Sequence, residues 1–182
     1  MDNKNFNNYK NQGGYPPRQS NPYGGGYNQN DEVCRKRIDT LVGCVKNLNE
    51  NNVKDFVENA ENFARYNLNE ARKSKMRNFY DEVVRILGTS ENLDEAHYNS
   101  IFKQLYLIKP KIAYAIGRET KSDAKKHLKN FEDLYSKLMD VLDESLKKND
   151  EKNIRNIKDV FDNFKKLMEA IIAYHKIYAR EE

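Results

Sequence analysis

Two apolar stripes in the last third of the chain limit its possible folds more than anything else in the sequence. Leu128, Phe131, Leu134, Tyr135, Leu138, Val141, Leu142 and Leu146 recur at intervals of three and four, and so do Ile154, Ile157, Phe161, Phe164, Leu167, Met168, Ile171 and Ile172. That spacing gathers each set on one side of an α-helix but scatters it over both faces of a β-strand, so burying the set together requires a helix. The polar turn NDEKN between the stripes predicts an antiparallel pair. Stripes this regular are core, and none of their aromatic rings is set aside for a ligand.

The same period runs upstream. Val33, Ile38, Leu41, Val42 and Val45 mark a first helix, and Val53, Phe56, Val57, Ala60, Phe63 and Ala64 mark a second. A third is expected from a cap near Asn69 through Met76, Phe79, Tyr80, Val83, Val84 and Leu87, ending at Gly88. A fourth begins around Asp94 and carries Tyr98, Ile101, Phe102, Leu105 and Ile108. Pro110 then predicts the first turn of a short helix from Lys111 to about Arg118. Strand alternation is absent, so the predicted class is all-α: one helical bundle of five to six helices over residues 31–182, a length suited to a single core.

Residues 1–30 are a different material. NKNFNNYKNQGGYPPRQSNPYGGGYNQN has almost no aliphatic side chain to offset the entropy of ordering, so the segment is expected to be a disordered, Asn/Gly/Tyr-rich tail. Tyr9, Tyr15, Tyr23 and Tyr27 are spaced for weak stacking on bases or on one another, although an inert tail is the simpler reading.

Several function classes recede. No apolar run reaches the roughly 18 residues of a membrane span and the amino terminus lacks a signal-peptide hydrophobic region, so the expected location is the cytoplasm, away from any membrane. Cys34 and Cys44 have no His or Cys partner at ligand spacing and read as reduced thiols on a helix; neither a metal nor a cofactor is expected. His97, His127 and His175 are scattered over separate helices, and His175 in AIIAYHKIY reads as structural. Carboxylates interleave with lysines at helical spacing, as in surface pairing. No nucleophile elbow, glycine phosphate loop or paired His-Glu motif occurs, and the expectation is a protein that is not an enzyme.

Charge is the better lead. Residues 1–64 hold eight cations and eight anions, residues 65–126 thirteen and eight, and residues 127–182 eleven and twelve. The excess falls on two clusters. Arg72, Lys73, Lys75 and Arg77 lie at the start of the third helix, where they either clamp an anion beside helix amino-terminal amides or simply solvate the helix. Lys109, Lys111 and Arg118 frame the apolar segment KPKIAYAIGRE, whose Ile112, Ala115 and Ile116 face points inward while Lys111 and Arg118, two turns apart, share a side. Cations at a helix start, with no aromatic sheet motif for reading bases, suit sequence-blind contact with phosphates.

At these residues the sequence resembles the small helical subunit of type III-A CRISPR-Cas effector complexes, the Csm complexes. KMRNFYDEVVRI, LYLIKPKIAYAIGRE and FKKLMEAIIAYHKIY are similar to three blocks of that family, in its order and at about its separations. The tail has no counterpart, and residues 31–66 compare only loosely. The resemblance implies a helical bundle that is not itself a nuclease. Its copies stack beside the backbone subunits that hold CRISPR RNA and line the groove where guide and target RNA pair. Target-RNA cleavage then belongs to the backbone subunit, and DNA degradation and cyclic oligoadenylate synthesis to the large multidomain subunit. Carried over by position, the family's basic residues fall on Lys75, Arg77, Lys109, Lys111 and Arg118. The implied partners are CRISPR RNA, target RNA, the other Csm subunits and further copies of the chain. The alternative is a helical protein–protein adaptor whose basic residues are solvation only.

Overall fold

The structure, a computed structural model, describes residues 29–88, 94–147 and 153–180. The helices are α1 (Gln29–Lys46), α2 (Val53–Phe63), α3 (Lys73–Leu87), α4 (Glu95–Tyr106), α5 (Ile108–Gly117), α6 (Ser122–Lys147) and α7 (Asn153–Tyr178), with a π-helical turn, Ala64–Leu68, continuing α2. Every regular element among the described residues is helical, as the all-α expectation has it. Leu107 alone separates α4 from α5, so counting that pair as one bent rod leaves six helices. The expected disordered tail lies almost wholly outside the described residues, and α1 already includes Gln29 and Asn30. The NDEKN turn also lies largely outside them.

One buried cluster runs from Cys34 in α1 to Ile171 in α7. The start of α6 and the end of α7 lie at the same end of the bundle, because His127 Nδ1 accepts from the Glu70 amide at 3.0 Å and His175 Nε2 meets the Leu68 and Ala71 carbonyls at 3.1 Å. The two long helices are therefore antiparallel, as their stripes predict. Phe131, Leu134 and Tyr135 of α6 and Phe164, Leu167 and Met168 of α7 are all essentially inaccessible. The Tyr135 ring meets Phe164 edge-on at 6.1 Å and its hydroxyl donates to the Leu105 carbonyl at 2.9 Å, the partner a buried phenol requires.

Three local expectations change. The third helix does not begin at Asn69: α3 starts at Lys73, with Arg72 as an extended N-cap whose side chain makes no capping hydrogen bond. The delay has a cause in α7, whose end pins residues 68–71; besides the His175 contacts, the Arg180 amide donates to the Asn69 carbonyl at 3.1 Å. The short helix begins at Ile108 rather than after Pro110, which sits in its first turn, where a missing N–H forfeits no intrahelical bond. Gly88 caps α3 with φ −65°, so no left-handed geometry calls for glycine. A Cβ there would lie 3.0 Å from the Val84 carbonyl oxygen, a crowded approach that glycine avoids.

Candidate nucleic-acid interface

Two ion pairs lay α3 and α5 side by side. Lys75, in the first turn of α3, places Nζ 2.8 Å from Oε2 of Glu119, just beyond the end of α5. Lys111, near the start of α5, places Nζ 2.5 Å from Oε1 of Glu82, late in α3. Start meets end in both pairs, so the helices run antiparallel. The Glu119 side chain is only 2 % exposed and also accepts the amides of Thr120 and Lys121 at 3.0 and 3.1 Å, closing the turn into α6. The Lys75 hydrogen bond and these amides hold its carboxyl down to about 2. Arg72 reaches the same carboxylate at 4.0 Å.

The other sequence-predicted cations are disposed differently. Lys109 Nζ stands 5.0 Å from the Tyr106 ring centroid. Arg118 caps the end of α5, its guanidinium 5.6 Å from the Tyr114 ring and its Nη1 donating to the Tyr114 hydroxyl at 3.2 Å. Both tyrosines face outward, Tyr106 being 48 % and Tyr114 65 % exposed. Lys73 and Arg77 line a cleft of about 690 Å³ between α3 and α7, together with Tyr80, Ile172, His175 and Lys176. Arg77 holds Asp81 only loosely, at 3.8 Å on a solvated surface. The structure thus brings Arg72, Lys75 and Arg118 to one end of the α3–α5 pair and gathers Lys73 and Arg77 toward α7. Lys109 is separate: two residues on a helix are about 200° apart, which sends it away from Lys111.

The amino end of α5 is weaker for anions than its sequence suggests. Leu107 joins it directly to the carboxyl end of α4, so the partial negative charge of one helix end adjoins the partial positive charge of the other.

Sequence reasoning missed the counterions Glu82 and Glu119 and the tyrosines that pair with Lys109 and Arg118. The Tyr114–Arg118 spacing of four was a signal for the latter. His127 and His175 are structural, clasping the 68–71 linker, and burial pushes both below the ordinary imidazole range. Cys34 and Cys44 are buried free thiols; burial pushes Cys34 up to about 11, which leaves it a thiol at neutral pH. Among the described residues no group of three or more His, Cys, Asp or Glu is placed to hold a metal ion, and no helix is long and apolar enough to cross a membrane.

A sequence model of the family described as Csm2 Type III-A matches residues 50–181, which take in everything from α2 to the end of α7. The chain belongs to the Csm2 Type III-A family. It is accordingly a small subunit of type III-A Csm complexes, as the three sequence blocks imply. No curated protein and no solved structure matches the chain. The matched region contains all seven sequence-predicted cations of this Csm2-family chain, and α1 precedes it.

Proposed function

We infer that this chain is a non-catalytic, RNA-contacting subunit of the cytoplasmic Csm ribonucleoprotein. It lines the groove where CRISPR RNA and target RNA pair and touches their ribose-phosphate backbones. Backbone and large multidomain subunits, with further copies of the chain, form its protein surroundings. The observation that carries this reading is the division of labour among the cations of α3 and α5. Lys75 and Lys111 are engaged by Glu119 and Glu82 and hold the helices in place, whereas Lys73, Lys109 and Arg118 have no carboxylate within ion-pair distance among the described residues. Unneutralised cations on a rigid pair of helices give sequence-blind phosphate contact, and exposed Tyr106 and Tyr114 beside two of them add surfaces that sugar or base can cover. Arg72 and Arg77, only loosely paired, add to these cations near the start of α3, and together they make up an α3–α5 strip whose members face different sides.

Exposed Leu107 and Ile177, 64 % and 69 % accessible, favour the adaptor as a second reading, since apolar side chains in the open suit a protein partner. Photo-crosslinking separates the two. In a reconstituted Csm complex carrying target RNA substituted with a photoreactive uridine, peptides spanning 72–85 or 106–118 should carry the crosslink. Crosslinks confined to other subunits, with those peptides recovered unmodified, would favour the adaptor.

A further inference from the structure

A second cluster of unneutralised cations lies away from the α3–α5 pair, where the π-helical turn meets α1 and α7. Tyr66, in that turn, is 52 % exposed. The guanidinium of Arg37 from α1 stands 5.2 Å from its ring centroid and that of Arg65 stands 5.3 Å from it. Arg65 lies equally close, at 5.2 Å, to the ring of Tyr178 from α7. Neither arginine has a carboxylate within ion-pair distance among the described residues. Arg37 is fixed in place, since its Nη1 donates at 2.9 Å to Oδ1 of Asn67, a residue 7 % exposed whose carbonyl in turn accepts from Asn130 at 3.1 Å. A cleft of about 420 Å³ opens beside the ring, lined by Arg37, Tyr66, Asn130, His127, Lys126 and Asp31. Because His127 Nδ1 accepts the Glu70 amide, its proton sits on Nε2.

Packing accounts for only one side of this arrangement. Ala64, Asn67 and Leu68 give the π-helical turn a buried face, whereas Tyr66 and Arg65 are turned outward, where cation–aromatic contacts contribute little to stability; π-helical turns are frequent at functional sites. Guanidinium planes and tyrosine side chains share two capacities, stacking on nucleobases and hydrogen-bonding phosphate.

We propose that Arg37, Tyr66 and Arg65 form a second nucleic-acid site that takes an unpaired base of single-stranded RNA, with Arg37 and Arg65 on the flanking phosphates. A paired base presents no free face to such a shelf. An acidic peptide would use the arginines but not the ring. The site rests on the RNA-contacting reading of the α3–α5 strip but is separable from it. Arg37 precedes the region matched by the family, so the shelf combines a residue outside that region with Arg65 and Tyr66 inside it.

The test uses the full chain and two probes, a short uridine oligomer and the same ribose-phosphate backbone without bases. Tyr66→Leu should weaken binding of the uridine oligomer by about fivefold to a hundredfold, leave the abasic probe unchanged and preserve the salt dependence. Tyr66→Phe, which keeps the ring, should bind as the parent does; Arg37→Lys, which keeps the charge but loses the guanidinium fork on the phosphate, should weaken the uridine oligomer and the abasic probe alike. Lys73→Ala with Arg118→Ala should instead weaken both probes and flatten the salt dependence, so failure of that pair would count against the α3–α5 strip and not against the shelf. Equal effects of Tyr66→Leu on both probes, or none on either, would overturn the proposal, as would intact RNA binding with impaired assembly into the complex. Should Tyr66→Leu fail to fold by circular dichroism, the Phe and Lys variants decide alone.

Discussion

Lys75 Nζ donates to Glu119 Oε2 at 2.8 Å, so a cation from the first turn of α3 closes over a carboxylate at the far end of α5. Only two residues further on, Arg77 projects into solvent. Neighbours in one basic run thus do different work, one fastening helices and the other facing whatever comes from outside. Lys75→Ala would leave a nearly inaccessible carboxylate with backbone amides alone. Removing one partner of a buried pair costs about 3–5 kcal/mol, and the partial exposure of Lys75 puts the expected loss at or below the lower end. Adding Glu119→Gln should recover part of it, giving a coupling of about 0.5–3 kcal/mol in a double-mutant cycle by denaturant unfolding. Additive losses would show that the pair does not hold α3 to α5.

Glu119 also sets an acid limit. Its carboxyl is held at about 2 in the fold against an ordinary 4.5. Below the ordinary value the unfolded chain binds the proton that the folded chain refuses. Its contribution is therefore complete above about pH 4.5 and disappears as pH falls toward 2. The stability difference between parent and Glu119→Gln, measured by urea unfolding, should shrink over that interval.

His127 and His175 place a second, milder dependence nearer neutrality. Burial lowers both below the ordinary 6.5, and His127 must stay neutral at Nδ1 to accept the Glu70 amide. The unfolded chain takes up these protons first, so the stability they support is present above pH 6.5 and declines as pH drops through the lowered folded values. Thermal unfolding at stepped pH should show a melting temperature falling below pH 6.5. A flat profile down to pH 5 would contradict the clasp around residues 68–71.

Phe164→Ala removes a fully buried ring that packs on Tyr135 and should cost about 3–5 kcal/mol by chemical denaturation. Tyr135→Phe keeps the ring and loses only the bond to the Leu105 carbonyl, for about 0.5–1.5 kcal/mol. Comparable losses for the two variants would mean that the hydroxyl, not the aromatic packing, organises the α4–α6–α7 contact.

The long helices were legible because their information is local: the apolar residues from Leu128 to Leu146 repeat one period, and a helix so patterned buries that face. The π-helical turn was not, because Phe63, Ala64 and Leu68 continue the α2 stripe without a break while Asn67, polar yet buried, gives no apolar signal, and Tyr66 is turned outward beside it. Asn69 looked like a cap on its own, but the start of α3 is decided by α7, more than a hundred residues away. The basic clusters were visible in sequence. Which members are neutralised was not, since Glu82 and Glu119 face Lys111 and Lys75 only once α3 and α5 are packed together.

The most direct measurement is the salt dependence of target-RNA binding by a reconstituted Csm complex in which every copy of this subunit carries Lys73→Ala and Arg118→Ala. Neither residue fastens one helix to another, so circular dichroism and complex assembly should match the parent. Each phosphate contact removed should lower the magnitude of the log–log salt slope by about 0.7–0.9, and unrelated target sequences should weaken alike. An unchanged slope and affinity in a fully assembled complex would contradict RNA contact by these residues and leave the chain as an adaptor between protein subunits.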